Sequence, residues 1–592
     1  MPPVDFHPRG NFSKAPEENF FDLSRPFEKP MSIGPPLTFR EAKLSPWWPQ
    51  YKGAMDVEYG GLTENRTYDV VKRNSMPRGT NLIRGKWIFS DKRGEDGKIA
   101  KFKARWVACG YSQVAGVDFK ETFAGVVVAK TFRIMLVILN EDAQSEMEHW
   151  DVKMAFTVAP LEEILYMVEP DGYERLPKGE HVCLLKRSLY GLKQSARNWQ
   201  LLLETYFLQS GFSRSKADAC FFYRVIFSKG VQSFCLVSTH VDDIFVLFNK
   251  AGKFFRDELF KKILTDIKIE NLGPVSWALK TLILRDRVSG KIKISQELFT
   301  REFLAREAEL PRLFPGIKSP ATNPNFPENF LPCDRLDKID ESLKGNFQKD
   351  IGSFWWLAQI SRPDIFYATH RCAKLVNSPC PRLGQRIQKI KDYLSLTPTL
   401  GVVFSRHLDA PPLSGYVDAA FAAEDSYASR VGYFFLFRGN LVSWASENPT
   451  RVMTSSTEVE CRGLVHFQKE NLWHRQFHSE LSIYPIVSPT VVYEDNTASI
   501  TLSTSLGTPH KKSKHFGIEW AFFKEAVELK EISPVFVSTD EQPADMMTKS
   551  LVSGKFQVFR DMVMGDPILQ DHFGSEKLLV THSFVSCLET KN

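Results

Sequence analysis

The sequence predicts a multidomain α+β protein, and three observations carry that reading. At 592 residues the chain is too long for one hydrophobic core and divides into about three or four domains. Its middle holds an apolar hairpin pattern, Phe234-Cys-Leu-Val-Ser-Thr-His240-Val-Asp242-Asp243-Ile-Phe-Val-Leu-Phe248, two short strands with adjacent acids at the turn between them. Its C-terminal part alternates strand and helix patterns as an α/β unit does.

Composition is globular, 43% hydrophobic, 25% charged and 12% aromatic, and a net charge of +6 is compatible with a polyanionic partner. The nine cysteines are scattered, without Cys-x-x-Cys or a Cys/His cluster at zinc spacing, which favours a reduced compartment. His474 and His478 fall at i,i+4 on a predicted helix with no third ligand, and read as a solvated face. The N-terminus lacks a signal-peptide layout and no run of about 18 apolar residues occurs, so the reading is soluble, intracellular and without a membrane partner.

In chain order, residues 1–35 are rich in Pro, Phe and charge without periodicity, and read as a disordered tail. Leu82–Ser90 and Ile99–Ala108 alternate as strands of a hairpin with Asp96-Gly97 at its tip. Period two puts Lys101, Lys103 and Arg105 on one face, either the wet side of a strand or a place to hold phosphates. Thr131–Asn140 reads as a buried helix. His149–Phe156 reads as a strand carrying Asp151, and an amphipathic helix runs to about Gln209. Residues 253–310 mix helix and hairpin, 311–344 form a polar, Pro-rich linker, and 346–396 are helical. The last unit, from about 412 to 550, brings Asp418, Asp495, Glu458 and Asp545 to strand ends and to helices facing them. Each alone is an ordinary surface acid; together they are a candidate two-metal cluster.

Adjacent Asp242 and Asp243 at a turn between buried strands repel each other and lose hydration, a penalty a divalent cation removes. The plain alternative is turn chemistry alone.

A resemblance then emerges from blocks spread over about Pro36 to Ser550. Early in the chain they are Gly85-Lys-Trp-Ile-Phe89, Phe102-Lys-Ala-Arg-Trp-Val-Ala108 and Asp151-Val-Lys-Met-Ala-Phe156, followed by Ser188-Leu-Tyr-Gly-Leu-Lys-Gln194 and Val241-Asp-Asp243. Further on come Ser361-Arg-Pro-Asp-Ile365, Ser455-Ser-Thr-Glu458, Glu494-Asp-Asn496 and Pro543-Ala-Asp-Met-Met-Thr-Lys549. In this order they resemble the reverse transcriptase–ribonuclease H region of a copia-type (Pseudoviridae) long-terminal-repeat retrotransposon polyprotein. The resemblance implies a right-hand polymerase followed by a connection segment and an α/β ribonuclease H-like domain. The implied division is fingers and palm over 36–250, a thumb-like part over 251–310, linker and connection over 311–410, ribonuclease H over 411–550, and a tail over 551–592.

The family match implies RNA-directed DNA synthesis at Asp151, Asp242 and Asp243, and cleavage of RNA paired with DNA at Asp418, Glu458, Asp495 and Asp545. Each set would hold two Mg²⁺, with Mn²⁺ as an alternative, roughly 3.5–4 Å apart. Lys103 and Arg105 match the cations on the incoming triphosphate, and Lys193 and Gln194 match the block lining the nucleotide pocket. Phe156 matches the ring that excludes a 2′-hydroxyl; plain core is its other reading. The implied partners are an RNA template, a DNA primer, RNA/DNA hybrid and dNTPs, with the parent element's Gag and integrase beyond them. The implied location is cytoplasm, virus-like particle or nucleus.

Several positions depart from the family pattern: His240 for Tyr, Thr157–Pro160 for Leu-Asn-Gly-x, Lys280 for Gly, and Gly517, Glu519 and Ala521 for Asp, Arg and His. None removes an expected ligand. The alternative reading is an inactive relic that keeps the fold and binds nucleic acid. No protease motif, zinc knuckle or integrase-type cluster is found, so the chain reads as a fragment, a processed product or a degenerate copy.

Overall fold

Strict alternation over Ile244–Phe248 and Met147–Val152 buries both faces of one antiparallel sheet. Phe245, Leu247 and Met147 point to one core, while Ile244, Val246, Trp150 and Val152 point to another. This palm-like sheet has six strands in the order Ile269–Pro274, Glu146–Val152, Asp243–Phe248, Val231–His240, Phe221–Ser228 and Ser213–Arg214. Helices Ser195–Gln209 and Lys253–Asp266 cover the second core. Helix Ala129–Glu141 covers the first, and every residue from Thr131 to Asn140 is buried. In this computed structural model the described residues are 35–93, 99–125, 127–306, 313–314, 316–321, 339–422, 428–504 and 517–565. The expected N-terminal tail, the Asp96-Gly97 tip and most of the linker lie outside them.

The fingers hairpin pairs Gly85–Arg93 with Ile99–Ala108. Trp87, Phe89, Ala104 and Trp106 fill its inner face against helix Trp48–Glu64, which leaves Lys101, Lys103 and Arg105 on the outer one. Two division points differ from the expected ones. The palm continues past residue 250, because helix Lys253–Asp266 packs on it and Ile269–Pro274 pairs with Glu146–Val152. The thumb and connection do not separate at 310: Trp277–Ala278, Thr281–Asp286 and Lys291–Ser295 share a sheet with Gly401–Ser405, whose strand pairs with Lys291–Ser295.

Three helices, Lys344–Ile360, Phe366–Leu375 and Pro381–Leu396, form the connection. Its buried Arg362 grips Asp364 at 2.8 Å, and Tyr393 donates to the same carboxylate at 2.8 Å. The C-terminal unit is a five-stranded sheet in the order Asn440–Glu447, Arg430–Phe437, Leu413–Ala420, Thr490–Glu494, Ile532–Phe536. The first three strands are antiparallel and the last two parallel.

Residues after 550 are not all tail. Ser553–Met564 is a helix whose Phe556, Phe559, Val563 and Met564 are buried. His474 and His478 are also corrected: both are buried, His474 stacked on Phe435 with ring centroids 4.1 Å apart and His478 tilted against Phe437 at 4.2 Å. Six described cysteines are free and buried, and Cys380 is disulfide-bonded, which the scattered spacing gave no sign of. Among the described residues no helix is long and apolar enough to cross a membrane.

Candidate active sites

The first site sits where the palm sheet's central strands meet. Asp151 lies directly across from Asp243 in the ladder, and His240 pairs with Asp243, so Val241 and Asp242 form a two-residue turn. Val241 holds φ at 56°, a costly conformation for a β-branched residue. The buried Trp199 steadies the turn by donating its indole N–H to the Val241 carbonyl at 2.6 Å. Burial pushes the Asp242 carboxyl up to about 6; Arg105 opposes that, while Asp243 and Asp151 add to it. Its Oδ1 is buried without a hydrogen-bond partner. A carboxylate oxygen so placed among two other acids fits a divalent cation.

Asp243 is oriented by a residue that sequence reasoning missed. His149 Nε2 lies 2.7 Å from its Oδ1. The signal was available, since His149 is two residues before Asp151 and period two puts them on one face. His240, partly buried, has its imidazole held below the usual range by burial, against the opposing charge of Asp243.

The fingers reach this corner through Arg105, whose guanidinium lies 5.1 Å over the Tyr190 ring; Phe156 meets the same ring edge-on at 5.4 Å. Tyr190 is placed by its neighbour Gly191, at φ 87°, where a Cβ would stand 2.2 Å from the Ala108 carbonyl. The Tyr190 carbonyl accepts the Ala108 N–H at 2.7 Å. Only glycine lets the loop lie this close to the fingers strand. Tyr190, within the Ser188–Gln194 block, joins Arg105 to Phe156. Lys103 shares the face of Arg105, half-buried, and Lys193 is exposed. Gln194 does not line open space. It is 1% exposed, donates to the Asp118 carbonyl at 2.9 Å and accepts from Gln113 at 3.1 Å, so it braces the loop.

The second site lies on the C-terminal sheet. Asp418, Glu460 and Asp495 offer ligand oxygens that all lie within 4.8 Å of one another, the one such group among the described residues. Glu460 takes the place expected of Glu458. Two residues rotate a helix by about 200°, so the two glutamates face opposite ways. Glu458 instead accepts from the Thr454 N–H at 2.7 Å and hydroxyl at 2.9 Å, while Ser455 Oγ accepts the Glu458 N–H. This is a capping arrangement for helix Ser456–Leu481, and Ser455-x-x-Glu458 announces it in the sequence.

Glu460 is 7% exposed, its Oε2 has no partner, and burial, with Glu494 and Asp418 adding, holds its carboxyl well above the usual range. Burial likewise pushes Asp418 up to about 6 against the pull of Lys549. Asp495 accepts the Thr539 hydroxyl at 2.8 Å. Asp545 is buried next to Asp418, on a short helix seated over Gly432, where a Cβ would come within 2.4 Å of Met547. Its partners are cations: Lys549 at 2.6 Å and Lys555 at 3.4 Å. Glu519, one of the family departures, pairs with Arg462 at 3.0 Å.

The chain thus carries paired acids on the palm-like sheet and, farther along, a second acid group on the C-terminal sheet. Residues 65–315 match the family described as reverse transcriptase (RNA-dependent DNA polymerase). Over most of its length the chain is homologous to Pol polyproteins of plant copia-type transposons. It is 30% identical over 533 residues to the retrovirus-related Pol polyprotein from transposon TNT 1-94 of Nicotiana tabacum, covering 89% of this chain and 39% of that polyprotein. It is 30% identical over 517 residues to that from transposon RE1 of Arabidopsis thaliana, covering 87% and 34%. The chain therefore spans well under half of these relatives. Among solved structures, a foamy viral protease–reverse transcriptase in complex with double-stranded DNA aligns with a TM-score of 0.44 at 12% identity, covering 83% of this chain and 70% of that one.

Proposed function

We propose that the protein extends a DNA primer on an RNA template and cleaves the RNA strand of the resulting hybrid. The observation that carries the first activity is Asp151 directly opposite Asp243, beside an Asp242 whose buried Oδ1 has no partner. Asp151, Asp242 and Asp243 would hold Mg²⁺, or Mn²⁺ in its place. Bound there, the ions supply charge to the reacting phosphate and acidify the attacking hydroxyl. Arg105 and Lys103 face the same corner from the fingers and bind the triphosphate of the incoming dNTP; Arg does so with a bidentate fork. Phe156, braced by Tyr190, presents a ring that cannot hydrogen-bond a ribose 2′-hydroxyl and collides with it.

Cleavage is assigned to Asp418, Glu460 and Asp495, with Asp545 at their edge; the hybrid is distinguished by duplex shape and its 2′-hydroxyls. Gag and integrase of a parent element remain the proposed partners. The test uses the whole chain with a primed RNA template, dNTPs and Mg²⁺. Extension is expected and is lost in Asp242→Asn, while Asp495→Asn loses RNA cleavage and keeps extension. Hybrid binding without extension in Mg²⁺ or Mn²⁺ would instead identify an inactive relic.

A further inference from the structure

One position of the fingers breaks its own helix pattern. Helix Trp48–Glu64 turns Tyr51, Met55, Glu58 and Leu62 inward, the spacing of a core stripe, and the other three are apolar. Glu58 is 8% exposed, and among the described residues its Oε1 has no hydrogen-bond partner. A leucine there would pack without that cost, so a carboxyl buried in this apolar stripe calls for a use. Its surroundings point to Arg105. Trp106 offers its backbone N–H to the Glu58 carboxyl, and two residues on the Ala108 N–H goes to the Tyr190 carbonyl at 2.7 Å. Alternate N–H groups of a strand point to the same edge. Glu58 and the Tyr190 loop therefore dock on one edge of Ile99–Ala108, the edge away from Gly85–Arg93. The Arg105 guanidinium lies over the Tyr190 ring at 5.1 Å. Its charge acts on Glu58 and on Asp242, and the charge of Glu58 reaches Tyr190.

We infer that Glu58 is a positioning residue for Arg105: its buried carboxylate, seated at the free edge of the fingers strand, holds the guanidinium over Tyr190 for the triphosphate of the incoming dNTP. This deepens the polymerase reading above and rests on it. The physical reason is that Arg105 is exposed and its long side chain has many rotamers. An aromatic face alone holds an exposed guanidinium weakly. Asp242 attracts the same cation, and an arginine drawn onto Asp242 is lost to the triphosphate. A second carboxylate, fixed in the core and shielded from water, offsets that pull without competing for the nucleotide, because Glu58 is buried on the helix side of the strand. Glutamine in its place keeps the shape and an acceptor for the Trp106 N–H and loses only the charge.

The test is a double-mutant cycle on nucleotide binding. Single-nucleotide incorporation on a primed RNA template is measured with the full chain at pH 8, where the Glu58 carboxyl, pushed up to about 7 by burial, is ionised. Glu58→Gln is expected to raise the dNTP KM by about three- to tenfold with kcat within about twofold. Arg105→Ala is expected to raise KM further, and the double variant to match Arg105→Ala alone. Melting separates this from a structural role, since Glu58→Gln, freed of a buried charge, is expected to melt no lower than the unmodified chain. If Glu58→Gln does not fold, Glu58→Asp, which withdraws the charge by one methylene, takes its place in the cycle with the same direction expected. An unchanged KM in the Glu58 variant, or an equal rise in the Arg105→Ala background, overturns the inference and leaves Arg105 standing as a triphosphate contact. An unchanged KM in Arg105→Ala overturns that contact, and no extension in Mg²⁺ or Mn²⁺ overturns the polymerase reading; the inference falls with either.

Discussion

The sharpest expectation concerns two glutamates on one helix. The motif Ser455-Ser-Thr-Glu458 directs attention to Glu458, whereas the geometry puts Glu460 with Asp418 and Asp495. The two should therefore fail in opposite ways. Glu458→Ala removes two hydrogen bonds onto Thr454, at 2.7 and 2.9 Å, at the start of a 26-residue helix. A lost cap of this kind costs about 1–2 kcal/mol. The folded enzyme keeps its acid cluster, so RNA cleavage stays within about twofold of the unmodified rate. Glu460→Gln keeps shape and volume but removes one anionic oxygen from the cluster. If the lost transition-state stabilisation is about 3–5 kcal/mol, cleavage falls by roughly a hundred- to several-thousand-fold.

Stability separates the pair again. Burial raises the Glu460 carboxyl well above its usual range, which favours its protonated form in the metal-free protein, and Gln mimics that form. Glu460→Gln should melt no lower than the unmodified chain in EDTA, and should lose the stabilisation that Mg²⁺ brings. The assay is cleavage of a fluorescent RNA in an RNA/DNA hybrid, with primer extension as the internal control and melts run with and without Mg²⁺. Loss of cleavage in a fully folded Glu458→Ala, with Glu460→Gln active, would refute the helix phase on which this reasoning stands.

Three further outcomes are expected. Phe156→Ala removes the ring that meets Tyr190 edge-on at 5.4 Å; ribonucleotide exclusion should weaken by about 10–100-fold in single-nucleotide incorporation, and unchanged exclusion would show the gate lies elsewhere. Glu58 is pushed up to about 7 by burial, against the Trp106 backbone N–H and Arg105, and its Oε1 has no partner. A carboxyl raised in the folded state binds its proton more tightly there than when unfolded. Stability is therefore lost as pH rises from the unfolded value through about 7, by about 3 kcal/mol in all. Glu58→Gln should then be more stable than the unmodified chain at pH 8 and equal to it at pH 4 in urea titrations; equal stability at both would contradict it. Lys280 stands at φ 55° beside Leu279 at φ 51° in the tight turn between Trp277–Ala278 and Thr281–Asp286. Lys280→Gly should stabilise by about 1 kcal/mol in denaturant melts, and a loss would mean the turn is wrong.

The first site was legible because its signals are local. Period two and a two-residue turn place Asp242 and Asp243; the strand pattern puts Asp151 only on a strand of its own, and its position opposite Asp243 was implied by the family resemblance alone. What was not legible depended on phase or distance. Glu458 and Glu460 differ only by helix rotation, and a motif match is blind to rotation, although the capping pattern was there to be read. Gly401–Ser405 completes a sheet with Lys291–Ser295 across about a hundred residues, and Ile269–Pro274 joins the palm beside a strand far earlier in the chain; no short window carries either pairing. His474 and His478 looked like surface residues because histidine is neutral enough to bury when aromatic rings pack on it. The Ser553–Met564 helix was readable and passed over: Phe556, Phe559, Val563 and Met564 repeat at helical spacing. Lys280 in place of a glycine was noticed as a departure, and its meaning came only with the positive φ.

The two proposed activities are expected to separate by point substitution, yet the fold that carries both sites is not modular. Helix Ser456–Leu481 brings Glu460 to the second site near its N-terminus, and further along it docks on the back of the palm. Lys130 pairs with Glu470 at 2.8 Å and lies 3.8 Å over the Trp473 ring. Trp473 donates to the Ala217 carbonyl at 2.8 Å, Phe477 packs against Phe221, and Glu480 accepts from Ser215 at 2.6 Å. Arg133 reaches across from the same palm helix to the Val442 carbonyl at 2.7 Å and lies 4.0 Å over Trp444. That palm helix, Ala129–Glu141, is buried over ten consecutive residues because the palm sheet covers one side of it and the connection and C-terminal unit cover the rest. In the proposed function the chemistry at each site rests on the few carboxylates gathered there, so Asp495→Asn is expected to silence one activity alone. Removal of the C-terminal unit is a different perturbation, since it strips apolar surface from the helix that supports Asp151 and Asp243, takes Glu470 from Lys130, and leaves Arg133 with only the Gln359 and Ile360 carbonyls of the connection among these contacts. The connection between the two sites is thus a shared core rather than a spacer, and the palm needs the C-terminal unit for its own packing.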